Sequence, residues 1–184
     1  MILSANTANR LFWLGRYVER VYRSVDYLLS YYDTLIDGTA PDFHDYCRRM
    51  GIIDNFASPD DFIKGYLFNA TSPCSVKSYM SSAIGNGMLL REVLSTYTFA
   101  YLLMAQAELE GAEYSDGPCF ELQRVLDNIM AFHGSFDDST EVEEARNITK
   151  TGGMTERIST MIRMGADKEK GRSENLPELR NADG

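Results

Sequence analysis

The five prolines, at positions 41, 59, 73, 118 and 177, leave two long stretches, 1–40 and 74–117, free of the residue that breaks a helix. In the first of them Leu14, Val18, Val21, Val25, Leu28, Tyr32 and Leu35 follow one another at alternating spacings of four and three. Such a row is the seam of a helix packed lengthwise on another helix. It predicts a helix from about residue 7 to residue 37, roughly 45 Å long at the rise of an α-helix, stopped by Gly38. In the second stretch Ser72 and Pro73 read as cap and first residue, and Val76, Met80, Ala83, Gly87, Leu90, Leu94, Tyr97, Tyr101 and Met104 continue the same alternation. One long helix over 73–110 is predicted, with Gly85 and Gly87 marking a kink or a close contact inside it.

Shorter helices are expected at 41–50, where Phe43, Tyr46, Cys47 and Met50 share a face, and after the Ser58-Pro59-Asp60-Asp61 start signal. Leu122, Val125, Leu126, Ile129 and Met130 predict another helix, ending near Gly134. Thr140 and Glu143 have capping-box spacing and open a last helix whose seam is Met154, Ile158, Met161 and Gly165. No segment alternates with the period of a half-buried strand. The fold class is therefore all-α, an up-and-down bundle of three long helices with additional short ones, in a single domain over 1–165. Residues 166–184 are dense in charge and poor in apolar side chains, and are expected to be disordered.

The chain has 184 residues, 44% of them hydrophobic and 24% charged, which suits one globular core. Its net charge of -9 argues against nucleic acid as a partner. Residues 111–140 hold six acids against one arginine, so more than half of that charge is local. Solubility and dipole placement explain it more simply than an acidic docking patch. No apolar run approaches the ~20 residues of a membrane span. The start of the chain lacks a basic and then apolar leader, and Cys47, Cys74 and Cys119 have no paired spacing. A cytoplasmic setting is the expectation.

The most informative feature is an echo. Gly15-Arg16-Tyr17-Val18-Glu19-Arg20 near the start is answered by Gly152-Gly153-Met154-Thr155-Glu156-Arg157 near the end, and the reversed pair Arg91-Glu92 lies in the middle. At about 100° per residue Glu19 and Arg20 flank the apolar seam on opposite sides, so they face other neighbours or water. In an antiparallel bundle the middle of the first helix would stand level with Arg91 and Glu92. The three pairs then form one partly buried ion network, or they are three unrelated surface pairs.

These segments, with Trp13 to Arg20, Asn86 to Ser95 and Gly152 to Arg157, resemble the three helical motifs of the bacterial alpha-E domain family, named for its Glu-Arg motif. The resemblance runs from about residue 5 to residue 165. It departs from the family pattern at Gly87-Met88 and at Gly153, where two arginines would be expected. It implies a part in a bacterial peptide synthesis or modification system, with circularly permuted ATP-grasp ligases, transglutaminase-like proteins and a peptidase as associates. It assigns no reaction to the domain itself.

Neither histidine, His44 or His133, stands in a Glu-x-x-His spacing, and the chain has no phosphate loop, nucleophile elbow, zinc helix or paired Cys-x-x-Cys. No cofactor and no metal are expected. Cys74 is the one thiol with a sequence argument for reactivity, next to Pro73 at a predicted helix start. Trp13, Tyr17, Tyr22, Tyr27, Tyr31 and Tyr32 read as bundle packing before they read as an aromatic ligand pocket. Two functions stay open. One is a non-catalytic accessory or binding component in which Arg16, Glu19, Arg20, Arg91, Glu92, Glu156 and Arg157 hold a ligand or only the bundle, with a homo-oligomer left open. The other is an enzyme with Glu19 or Glu156 as general acid or base and Arg20, Arg91 or Arg157 as an anion clamp.

Overall fold

In a computed structural model, residues 3–115 and 118–165 are described, and seven helices lie among them: α1 (Ala5–Ile36), α2 (Phe43–Met50), α3 (Pro59–Phe68), α4 (Val76–Met88), α5 (Thr96–Ala112), α6 (Cys119–Ser139) and α7 (Glu143–Arg163). The tail expected at 166–184 lies outside the described residues. The fold is an all-α bundle with α1 at its centre, packed against α7, α4 and α6, while α5 closes on α6 and α4. The predicted seam holds along α1, where Leu14, Val18, Val21, Val25 and Leu28 are buried. At the far end of α1 the short helices α2 and α3 bring aromatic rings together. Tyr27 stacks on Tyr46 at 3.8 Å, and the Tyr66 hydroxyl meets those of Ser24 at 2.7 Å and Tyr46 at 3.1 Å.

The long helix predicted over 73–110 is two helices. α4 begins after Ser75, whose side chain accepts from the Ser78 N–H, and ends at Met88. A turn follows, and Ser95 caps α5 by accepting from the Thr98 N–H. The break resets the helical phase. Val76, Met80, Ala83, Leu90 and Leu94 are buried as the seam requires, but Tyr97 is 82% exposed, and Thr98, Phe99, Leu102, Ala105 and Leu109 take its place inside. Of the two glycines, Gly87 is the close contact: a Cβ there would stand 2.8 Å from the Phe99 ring. Gly85 has open space around it in the exposed face of α4. Gly85→Ala is therefore expected to stabilise the protein by about 0.5–1 kcal/mol, the helix-propensity difference, read as a higher denaturant midpoint at unchanged slope.

Two other expectations are corrected. α6 passes Gly134 and ends at Ser139, since nothing at Gly134 demands a left-handed residue or a stop. The capping box at Thr140 does not form: Val142 precedes α7 without a side-chain cap, and the buried Thr140 hydroxyl has no hydrogen-bond partner among the described residues. The predicted seam of α7 faces water, with Met154 61%, Ile158 54% and Met161 48% exposed. The buried face is Ala145, Thr149, Gly152, Gly153 and Glu156.

Cys74 lies before the Ser75 cap, outside α4, so the helix-start argument for its reactivity lapses. Cys47 is buried, and desolvation, aided by Asp54 and Asp42, pushes its thiol up to about 11. Alkylation of the native protein at pH 8 is expected to spare Cys47, and mass spectrometry of the labelled peptides checks it. The acidic stretch 111–140 is partly paired: Glu113 with Lys77, Asp137 with Lys150, and its one arginine, Arg124, with Glu108. Among the described residues no helix is long and apolar enough to cross a membrane.

Candidate functional site: a double glutamate clasp between the first and last helices

α1 and α7 meet backbone to backbone. A Cβ on Gly15 would stand 2.0 Å from the Thr149 carbonyl oxygen, and one on Gly152 would stand 2.0 Å from that of Phe12. Farther along both helices Arg16 and Arg20 meet Glu156, and Glu19 meets Arg157. Contacts advance together on the two helices, so α1 and α7 run parallel. Gly15, Glu19 and Arg20 thus face Gly152, Glu156 and Arg157 across an approximate two-fold axis along the helices. Small residues let the axes approach, and the charged pairs begin where the glycines end.

Glu156 is fully buried. It accepts from Arg16 Nε at 2.9 Å and Nη2 at 2.6 Å, and from Arg20 Nε and Nη2 at 2.7 Å each. Glu19 is 3% exposed and accepts from Arg157 Nε at 2.8 Å and from Arg23 Nε at 2.9 Å. Aromatic faces seat the arginines: Arg16 lies 5.2 Å over Trp13, and Arg20 lies 5.0 Å over Tyr79 of α4. Burial alone would raise both carboxyls, but the hydrogen bonds from their paired arginines outweigh it and hold both below the ordinary value. Both are ionised at neutral pH.

The structure brings together Arg16, Glu19, Arg20, Glu156 and Arg157 of the sequence candidates. Arg91 and Glu92 stay apart from them. They are exposed in the turn between α4 and α5, with Arg91 over the Phe99 ring at 5.6 Å. The break after Met88 explains this, because the residue of α4 level with Arg20 is Tyr79. Arg23 was not among the candidates. Its signal was its place four residues after Glu19, on the same helix face. Gly153 stands opposite Arg16 in the two-fold relation, so Glu19 lacks a mate there, and Arg23 supplies its second guanidinium.

Beside the clasp, α1, α6 and α7 enclose a cleft of about 550 Å³ lined by Glu19, Tyr22, Arg23, His133, Lys150 and Arg157 among others. Burial lowers the His133 pKa, with Glu19 and Asp137 opposing and Arg157 and Lys150 adding to the shift, so the ring is neutral at pH 7. Among the described residues no group of three or more His, Cys, Asp or Glu is placed to hold a metal ion.

A family model described as a predicted alpha-helical domain with a conserved ER motif, Alpha-E, matches residues 3–179. The chain belongs to the Alpha-E family. No curated protein and no solved structure matches it. In this Alpha-E chain two of the Glu-Arg pairs make a reciprocal exchange, the arginine after each glutamate reaching the glutamate of the other helix.

Proposed function

We propose that this Alpha-E protein is a non-catalytic accessory or binding component of a bacterial, cytoplasmic peptide synthesis or modification system, acting beside an ATP-grasp ligase and a transglutaminase-like protein. The partners follow from the family resemblance. The observation that carries the non-catalytic reading is the closed clasp: each glutamate is buried, ionised and held by two arginines. A general acid needs a carboxyl raised toward neutral pH, and a base needs a lone pair facing substrate. Glu156 has no exposed surface, and both oxygens of Glu19, which borders the cleft, are taken by Arg23 and Arg157. The exposed apolar side chains of α7, Ile158, Met161 and Ile162, add area for a protein partner.

The test is co-purification of the full chain with the neighbouring ATP-grasp ligase, repeated with Glu19→Gln. The substitution is expected to lower stability by about 2 kcal/mol, less than a fully buried pair costs because Arg157 and Arg23 are partly exposed, with partner capture per folded molecule unchanged. Capture or catalysis that vanishes in a fully folded Glu19→Gln protein would overturn the structural role of the motif.

A further inference from the structure

We propose that the cleft between α1, α6 and α7 is a binding site for a single carboxylate flanked by an apolar side chain, as at the C-terminus of a peptide. The inference deepens the binding-component reading and rests on it for the expectation that the ligand is a peptide.

Charge decides the kind of anion. Two guanidiniums, of Arg23 and Arg157, share the one carboxylate of Glu19, and Lys150 is paired with Asp137 at 2.9 Å. Asp26 approaches Arg23 at 3.9 Å, but it lines a different pocket, with Ser30 and Tyr46. Arg23 and Arg157 both line the cleft, and Arg23 donates only Nε, to Glu19; Arg157 is the more exposed of the two. It uses Nε and Nη2 on Glu19, its side chain is 52% exposed, and three of its five N–H groups make no hydrogen bond among the described residues. One positive charge left over from two guanidiniums on one carboxylate suits a monocarboxylate better than a phosphate dianion.

Two further features shape the ligand. His133, on the facing helix α6, lines the same cleft and has no hydrogen-bond partner among the described residues. Its N–H is available to the second carboxylate oxygen. The lining is apolar and adaptable elsewhere: Met130 of α6 and Met154 of α7 are 60% and 61% exposed, and the buried Phe136 lines the cleft with them. An apolar side chain next to the carboxylate covers both methionines. The volume lies within the range of small-ligand clefts.

The full chain is titrated calorimetrically with acetyl-Ala-Ala-Leu as free acid, with the same peptide as its C-terminal amide, with amide-capped acetyl-Ala-Glu-Leu, and with inorganic phosphate. The free acid is expected to bind about tenfold more tightly than the amide, and to shift the His133 ring resonances where the amide does not. If the capped glutamyl peptide binds as tightly, the carboxylate site stands and its source is a side chain. Met154→Ser, at an exposed position outside the clasp, is expected to weaken the acid severalfold at unchanged stability; an unchanged affinity removes the apolar lining. Arg157→Met is expected to abolish the preference for acid over amide, and the melting curve of each variant shows that the comparison is made on folded protein. Equal binding of acid and amide, tighter binding of phosphate, or no binding at millimolar peptide overturns the proposal. Loss of ligase co-purification with carboxylate selectivity intact refutes the accessory reading and leaves the cleft; the reverse result refutes the cleft alone.

Discussion

Glu156→Gln is expected to destabilise the protein by about 3 kcal/mol, at the lower end of what breaking a buried ion pair costs. The side chain has no access to water, and it is the common acceptor of four N–H groups from Arg16 and Arg20. Glutamine keeps the volume and one acceptor oxygen but turns an amide N–H₂ toward guanidinium donors. Both arginines are about one-fifth exposed, so they recover part of the loss by turning toward water. Replacing Arg16, Arg20 and Glu156 together by Met or Leu is expected to restore much of the stability, because an apolar triad incurs no charge desolvation. Urea midpoints of the single and triple variants check both statements.

Acid should act in the same direction. A carboxyl whose folded pKa is depressed contributes stability that is complete above its unfolded value, near 4.5 for glutamate, and that is lost as pH falls through the folded value. Glu19 and Glu156 share this sign. The melting temperature of the wild type is expected to be level above pH 5 and to drop below about pH 4.5, and the drop should shrink in Glu156→Gln.

Gly15→Ala is the second large effect, expected at about 3 kcal/mol or more, the upper range for overpacking. The added methyl carbon would sit 2.0 Å from a backbone carbonyl oxygen and 3.1 Å from the Gly153 nitrogen, and neither can rotate aside. α1 and α7 must separate, which also lengthens the arginine bonds one turn farther on. Gly152→Ala meets the Phe12 carbonyl at the same 2.0 Å. The double variant should cost less than the sum of the two, because one displacement relieves both clashes. Gly134→Ala, with nothing within 4 Å, is the control and should be neutral or stabilising.

These glycines show where sequence pattern reads the fold and where it fails. The apolar row of α1 is buried as its spacing demands, because that interface is made of Leu and Val. On α7 the same logic chose Met154, Ile158 and Met161, which point to water, since the true interface is built from two glycines, Thr149 and a glutamate. Hydrophobic periodicity is blind to an interface held by backbone proximity and ion pairs. The Glu-Arg echo was visible, but its geometry was not. An antiparallel bundle with one unbroken middle helix would set Arg91 and Glu92 beside Glu19, whereas the mates of Glu19 are Arg23 on its own helix and Arg157 on α7. The break after Met88 was legible at Ser95, a cap residue followed by Thr96 and Thr98, and an unbroken apolar row masked it.

The parallel pairing of α1 with α7 also sets the order of events during synthesis. The most extensive helix contact of the bundle joins segments more than a hundred residues apart. A nascent chain presents the Gly15 face of α1, with Arg16, Glu19 and Arg20, long before its match leaves the ribosome. Closure of that long loop delays the step that completes the core. Until residue 157 emerges, the chain is a bundle missing a wall, and the waiting surface is charged and small rather than oily, so it offers little for premature aggregation to grip.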